Sequence, residues 1–266
     1  MKFQLRTAVT GFSLVELSIV LVIIGLLVGG ILAGRSLIRA SELRSVIIDY
    51  ERFKTAALAF RDRYFYLPGD MPNASSVWGA ADGTTGSTVA CASTASTTAT
   101  TCNGNGNGLL DIPGSSNEYF RFWQHLANAG MIEGSYSGIS LGGTNYVTTA
   151  NAPSGKMSSS LWYALYRGTL SGNASIFDGF YGNALQFGAY VANSDPAAPI
   201  IKPEEGWNID SKIDDGKPAL GTIVARDLSG FGGYNCTTAT ASSMTGADYY
   251  LPNANKRCAL YFRQIF

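Results

Sequence analysis

Proline is absent from the first 67 residues of this chain, and no charged residue stands between Leu17 and Gly34. A helix that starts there meets no breaker before Leu67-Pro68-Gly69-Asp70, where proline disfavours helix in the residue ahead of it. Histidine occurs once, at His125, and the four cysteines include no CxxC pair, which argues against structural zinc. His125 has no evident nucleophile or carboxylate partner, and the chain carries no nucleotide loop, no GxSxG, no HExxH and no consecutive internal repeat. Nothing in it supports an enzyme. Charged residues make up only 14% and sum to a formal net charge of zero, so no global field draws the body to nucleic acid or anionic lipid. There is no basic patch suited to attracting DNA.

What is present is an apolar stretch with one acid at its head. The 18 uncharged residues from Leu17 to Gly34 span about 27 Å as a helix, close to a bilayer's hydrocarbon core. Glu16 stands at the edge of that core, where an unpaired carboxylate is costly. A free amino terminus created by cutting just before Phe12 is the nearest partner on offer. An ordinary secretory signal, with Lys2 and Arg6 as its basic region and cleavage near Ala33-Gly34, has a shorter apolar core and no acid. A plain membrane anchor accounts for the length but leaves Glu16 unpaired.

The helical rhythm continues beyond the apolar span through Leu43, Val46, Tyr50, Phe53, Ala57, Phe60 and Tyr64, with most charges around that stripe. One helix is therefore expected from about Phe12 to Tyr66. Its first half suits a membrane, and its outer half suits packing under a sheet. Gly25, Gly29, Gly30 and Gly34 thin the membrane half and allow close helix approach.

Gly11-Phe12-Ser13-Leu14-Val15-Glu16 after a short basic leader resembles the processing site of type IV pilins and type II secretion pseudopilins. The resemblance is sharpest over residues 1–66. It implies that a prepilin peptidase and methyltransferase of the membrane cuts between Gly11 and Phe12 and N-methylates Phe12. It also implies that Glu16 neutralises the amino terminus of a neighbouring subunit during fibre assembly. The implied fold is α+β and pilin-like, with a long N-terminal helix packed on an antiparallel β-sheet head. The implied organisation is a leader over 1–11, a transmembrane and assembly helix over 12–34, the outer half of the helix over 35–66, and a head over 67–266. The expected partners are other pilin-like subunits, an inner-membrane assembly machinery and the lipid bilayer. The head then lies in the periplasm before it joins a filament. Many pilins bend their apolar segment at a proline, and that bend cannot be carried over here. The competing reading is a membrane-tethered or secreted surface-binding protein, adhesin-like, whose Asn/Gly/Thr-rich loops contact a ligand without polymerising.

Beyond the helix, 31 glycines with abundant Ser, Thr and Asn indicate many turns, within a chain of 266 residues long enough for one sizeable domain. The segment from about Asp82 to Gly108 reads as a surface loop. Cys91 and Cys102 bracket it, and Cys236 and Cys258 form a second local couple, although four cysteines allow three connectivities. Two disulfides in an oxidising compartment fit this usage, and closing a loop of about 15 residues is worth roughly 3 kcal/mol. The second couple also resembles the C-terminal disulfide loop of many type IV pilins.

Asn103-Gly104-Asn105-Gly106-Asn107-Gly108, followed by Asp111, imitates the start of a calcium loop. Its early ligands are neutral amides, and Gly114 stands at the twelfth position, where a bidentate Glu belongs. With Asp111 and Glu118 as the available carboxylates, calcium affinity is expected to be weak. No other cofactor is indicated.

A further helix is expected from Asn117, with a stop near Gly130, and a short one from Pro203 that ends in the acidic turn Ile213-Asp214-Asp215-Gly216. Strands are expected at 145–149, 161–166, 184–191, 220–226 and 258–265. In the last, Leu260 and Phe262 alternate with Tyr261 and Arg263, as in a strand with one covered face.

Overall fold

The computed structural model describes residues 11, 13–111, 117–142, 145–227, 235–239 and 244–266. Lys2, Arg6 and Phe12 lie outside the described residues. The chain is α+β, in the order α1 (Leu14–Tyr64), α2 (Ala74–Trp78), α3 (Val89–Ala92), α4 (Glu118–Asn128), β1 (Ser160–Tyr166), β2 (Thr169–Leu170), β3 (Gly179–Phe180), β4 (Asn183–Ala189), α5 (Pro203–Ile213), β5 (Ile223–Arg226) and β6 (Ala259–Phe262). It divides into two compact units, Met1–Glu42 and Leu43–Phe266.

In the first unit α1 is apolar and exposed. It is the one helix among the described residues that is long and apolar enough to cross a membrane, and none of its most apolar stretch is buried. In the second unit the same helix buries Val46, Tyr50, Phe53, Ala57 and Phe60, the three- and four-residue spacing that keeps one face inward. Leu43 and Tyr64 close the stripe, partly buried against the core.

Four strands form an antiparallel sheet in the order β1-β4-β6-β5. Register places Trp162 beside Phe187, Phe187 beside Leu260 and Leu260 beside Ala225, so these side chains share one face. That face receives α1: Tyr50 stacks on Phe262 at 4.4 Å, and Phe53 meets Trp162 edge-on at 5.5 Å. Trp123 of α4 closes on Phe53 at 4.9 Å. The core is thus an aromatic seam where α1, α4 and the sheet converge.

The opposite face carries Tyr163, Gln186, Tyr261 and Val224 in one row, and all four are buried. This corrects the expectation that β6 has one covered face. Alternation fails as a guide because β6 is an inner strand whose second face is roofed by Tyr181, Arg167, Arg226 and Asp195 rather than by water. Tyr181 meets Tyr261 at 5.4 Å, and both arginines donate to the Tyr261 hydroxyl at 3.0 Å. Asp195 Oδ2 accepts from Arg226 at 2.6 Å and from Arg167 at 3.1 Å.

The outer strands are strapped at their free edges. Trp162 N–H donates to the Pro153 carbonyl at 2.9 Å, and Leu161 bridges to Ser154. On the other side Ala225 N–H donates to the Pro218 carbonyl at 2.8 Å, and Arg226 bridges to Ile176.

Strands are absent at 145–149, a second correction. Asn151 holds that segment instead, accepting from Thr148 N–H at 2.8 Å and donating to the Tyr146 carbonyl at 2.8 Å. A side chain thereby satisfies the backbone groups that a neighbouring strand would otherwise pair.

Candidate functional site

At the head of α1, Ser13 and Glu16 form a reciprocal cap. Ser13 N–H donates to Glu16 Oε2 at 2.8 Å, and Val15 N–H donates to Ser13 Oγ at 3.3 Å. The Ser-x-x-Glu spacing explains why the helix begins here, since both side chains serve N–H groups that have no partner within the helix. Glu16 is exposed in a run of exposed apolar residues. Gly11 lies just ahead, with open space around it. Gly25, Gly29, Gly30 and Gly34 likewise have nothing within 4 Å of where a Cβ would stand. The contact expected between Glu16 and the Phe12 amino group falls on a residue outside those described.

The head contains a second carboxylate site, built where α1 ends. Phe65 turns out of the helix at φ +64°, and Gly69 at φ +88° lies against the Glu118 carbonyl, leaving no room for a Cβ. Asp70 follows and is buried. Its Oδ1 accepts from the N–H groups of Gly106 at 2.7 Å and Asn107 at 3.1 Å, and its Oδ2 accepts from Gly108 at 2.8 Å. Gly104 is required in the same turn because a Cβ would collide with the Asp70 backbone. Glu118, also buried, takes the next donors: Oε1 from Asn105 N–H at 2.9 Å and Oε2 from Asp111 N–H at 3.1 Å.

This geometry decides how the Asn-Gly repeat is used. Asn105 and Asn107 turn their carbonyl oxygens to the N–H groups of Asn107 and Leu109 at 2.9 and 2.8 Å. Their amide nitrogens reach Asp111 at 3.4 and 3.0 Å. Asn103 lies apart, accepting from Ser75 N–H at 2.7 Å and donating to Ser87 Oγ at 2.9 Å. Asn105, Asn107 and Asp111 therefore come together while Asn103 does not, and their oxygens are engaged by protein donors. The donor set does not fit a calcium ion, which needs several free oxygens converging on one point.

Burial dominates the electrostatics of this loop. It pushes the Glu118 carboxyl up to about 8, with Asp111 and Asp70 adding in the same direction against the two N–H donors. Burial likewise raises Asp70 despite its three N–H donors. A folded value above the ordinary 4.5 means that Glu118's contribution to stability is fully present below about 4.5 and is lost as pH rises through about 8. Glu118→Gln is expected to flatten the fall in melting temperature across that window. An unchanged slope would show that Glu118 does not titrate there.

The two cysteine couples are disulfides, Cys91–Cys102 and Cys236–Cys258, with Cα separations of 5.8 and 5.2 Å. All four residues are buried, so the first loop contributes to the interior even though its polar part is a surface loop. Helix α4 grips it from within. Arg121 donates to the carbonyls of Cys91 and Thr94 at 3.1 and 2.9 Å, and Gln124 donates to the Ser96 carbonyl at 2.7 Å. His125 Nδ1 accepts from Gly69 N–H at 2.9 Å, tying α4 to the end of α1. Burial, then the nearby Arg121 charge, drives the His125 imidazole down to about 3, so it stays neutral as a structural acceptor.

The acidic turn after α5 brings Asp210, Asp214 and Asp215 together. Asp210 accepts from Tyr249 Oη at 2.9 Å and Gly216 N–H at 3.1 Å, and Asp214 accepts from Thr222 and Ile223 N–H. Both aspartates thus pin the turn to β5 and to the C-terminal loop.

Sequence reasoning missed Asp70 as an organiser of the Asn-Gly loop and Asp195 as the centre of the far-face cluster. Asp70 reads locally as part of a helix stop, and its donors stand 36 to 38 residues away. Comparison with family models, curated proteins and solved structures finds no match for this chain.

Proposed function

We propose that the chain is a structural subunit of a pilin-like filament, of the type IV pilus or type II secretion pseudopilus class, that matures by cleavage between Gly11 and Phe12. The observation that carries this reading is Glu16, a carboxylate in the first turn of a helix whose following 18 residues hold no charge. Among the described residues its partner is the Ser13 N–H, a neutral donor that leaves the charge uncompensated. In a bilayer that charge favours a cationic partner, and the methylated amino group of Phe12 on a neighbouring copy has the right sign and depth.

The inner membrane stores the processed subunit, with the head on the periplasmic side where disulfides persist. The assembly machinery extracts it, and apolar packing between α1 helices holds the filament. The four glycines of the apolar half give that packing a thin face.

Mass spectrometry of membrane-extracted protein, from cells that contain the processing peptidase, tests the reading. The expected first residue is N-methylated Phe12. An intact Met1, or cleavage near Ala33, would sink the filament and favour a tethered or secreted binder.

A further inference from the structure

The head carries a preformed groove of about 590 Å³ that no part of the filament reading uses. Its size lies in the range of small-ligand sites. One wall is an aromatic corner: the hydroxyls of Tyr146 and Tyr190 are hydrogen-bonded at 2.7 Å, with ring centroids 6.0 Å apart and planes inclined at 56°. Tyr190 is 41% exposed, so its ring is open to a ligand. The other wall is the turn before β1, with Lys156, Ser158 and Ser159 exposed, and Met157 and Leu161 are buried behind it.

Both walls are fixed before any ligand arrives. Tyr146 N–H donates to Ser140 Oγ at 3.1 Å, and buried Asn151 donates to the Tyr146 carbonyl at 2.8 Å. Across the groove Ser159 adopts φ +65°, a costly conformation for a residue with a side chain, and its carbonyl accepts from Tyr190 N–H at 2.8 Å. That bond ties the strained turn to the aromatic corner.

The lining chemistry selects the ligand. Lys156 is the one charged residue among the lining residues, and no carboxylate joins it, so a metal ion or an amine finds no counter-charge. Asp49, the acid that feels the Lys156 field, is already paired with Arg52 at 3.1 Å. An exposed lysine set in a rim of hydroxyl groups suits an anion. The remaining rim is hydroxyl, from Thr148, Thr149, Ser154 and Ser158, and hydroxyls both donate and accept. A single lysine is too little for a polyphosphate backbone.

We infer that this groove binds an acidic carbohydrate, a uronic-acid-bearing oligosaccharide. Its C–H face stacks on Tyr190, its hydroxyls exchange hydrogen bonds with the serine and threonine rim, and its carboxylate meets Lys156. This goes beyond the filament reading and stands without it, because the groove lies wholly in the second compact unit.

Calorimetry on the full chain in detergent micelles tests it with three probes: an oligogalacturonate, an uncharged malto-oligosaccharide of equal length and an oligoglutamate of equal charge. Oligogalacturonate is expected to bind, and the other two to bind at least about tenfold more weakly. Tyr190→Ala and Lys156→Gln are each expected to weaken oligogalacturonate by about tenfold. Ser158→Glu, on the exposed rim and therefore safe for folding, is expected to abolish binding by setting a carboxylate against that of the ligand. Absence of oligogalacturonate binding, or binding indifferent to Ser158→Glu, would overturn the site. Equal affinity for the neutral sugar would overturn the acidic assignment, and equal affinity for oligoglutamate would overturn the carbohydrate one.

Discussion

Glu16→Ala is expected to leave cleavage after Gly11 intact while reducing incorporation of the subunit into filaments on the order of a hundredfold. The magnitude follows from the roughly 2.5–3.5 kcal/mol attached to a charge at membrane depth, which an unpartnered N-methylated Phe12 would carry in every assembled copy. The self-cap sharpens the expectation. Glu16 also accepts from Ser13 N–H, so the alanine variant loses that cap as well, and cap losses cost about 1 kcal/mol. Glu16→Gln separates the two effects, because an amide oxygen still accepts from Ser13 but carries no charge. If assembly follows charge, the glutamine variant fails like alanine. Filament yield that survives both substitutions, measured by shearing and immunoblotting with processing followed in parallel, would remove Glu16 from the mechanism.

The second large effect lies in the head. Asp195→Ala is expected to cost about 3–5 kcal/mol, since it strands a buried cation rather than merely deleting a contact. Arg226 carries that cost, being as buried as Asp195 itself, whereas Arg167 is more open and water screens it. A fall in the urea midpoint measures the loss. Replacing Asp195 and Arg226 together by leucine is expected to recover part of it, because the pair then no longer needs desolvating. A loss below about 1 kcal/mol would mean that the cluster behaves as a solvated surface pair.

The pH response has the opposite sign to that of Glu118. Burial acts to raise Asp195, but Arg226 and then Arg167 outweigh it and hold the carboxyl below its ordinary value of 3.8. Its contribution is therefore present above 3.8 and lost as pH falls through the depressed folded value. Asp210, raised to about 7 mainly by burial, sides with Glu118. Together these groups place greatest stability at about pH 4, above the Asp195 titration and before the losses that begin at the ordinary values of Asp210 and Glu118, 3.8 and 4.5, and run to about 7 and 8.

The parts of the fold legible in the sequence are those where neighbours along the chain share one environment. The stripe from Leu43 to Tyr64 is visible because a helix presents every third or fourth residue to the same core. Strand β1 is visible as the run Leu161–Tyr166, and β1 and β4 each bury six of their seven residues, although Gln186 interrupts the apolar character of β4. Helix α5 announces itself through Pro203 and the acidic turn that follows. What stayed hidden depends on partners far away in sequence. Alternation in β6 misleads because Arg167, Asp195 and Arg226 roof its polar-looking face. The Asn-Gly repeat resembles a cation loop until Asp70 and Glu118 arrive from elsewhere and occupy its N–H groups. The groove beside Tyr190 is equally non-local, since its walls meet only after β1 and β4 pair.

The strapped edges of the sheet decide which surfaces of this molecule are inert. Proteins confined to a membrane meet one another at high local density, and an open strand edge there is a template for mispairing into aggregates. Here Pro153 and Pro218 supply the carbonyls that take the outward N–H groups of Trp162 and Ala225, and proline brings no N–H of its own to extend the ladder. At these two points the margins of the sheet are closed by residues that lack the N–H needed to continue the ladder. Crowding can bring heads together without stitching their sheets, which leaves reversible side-by-side contact as the ordinary outcome of an encounter.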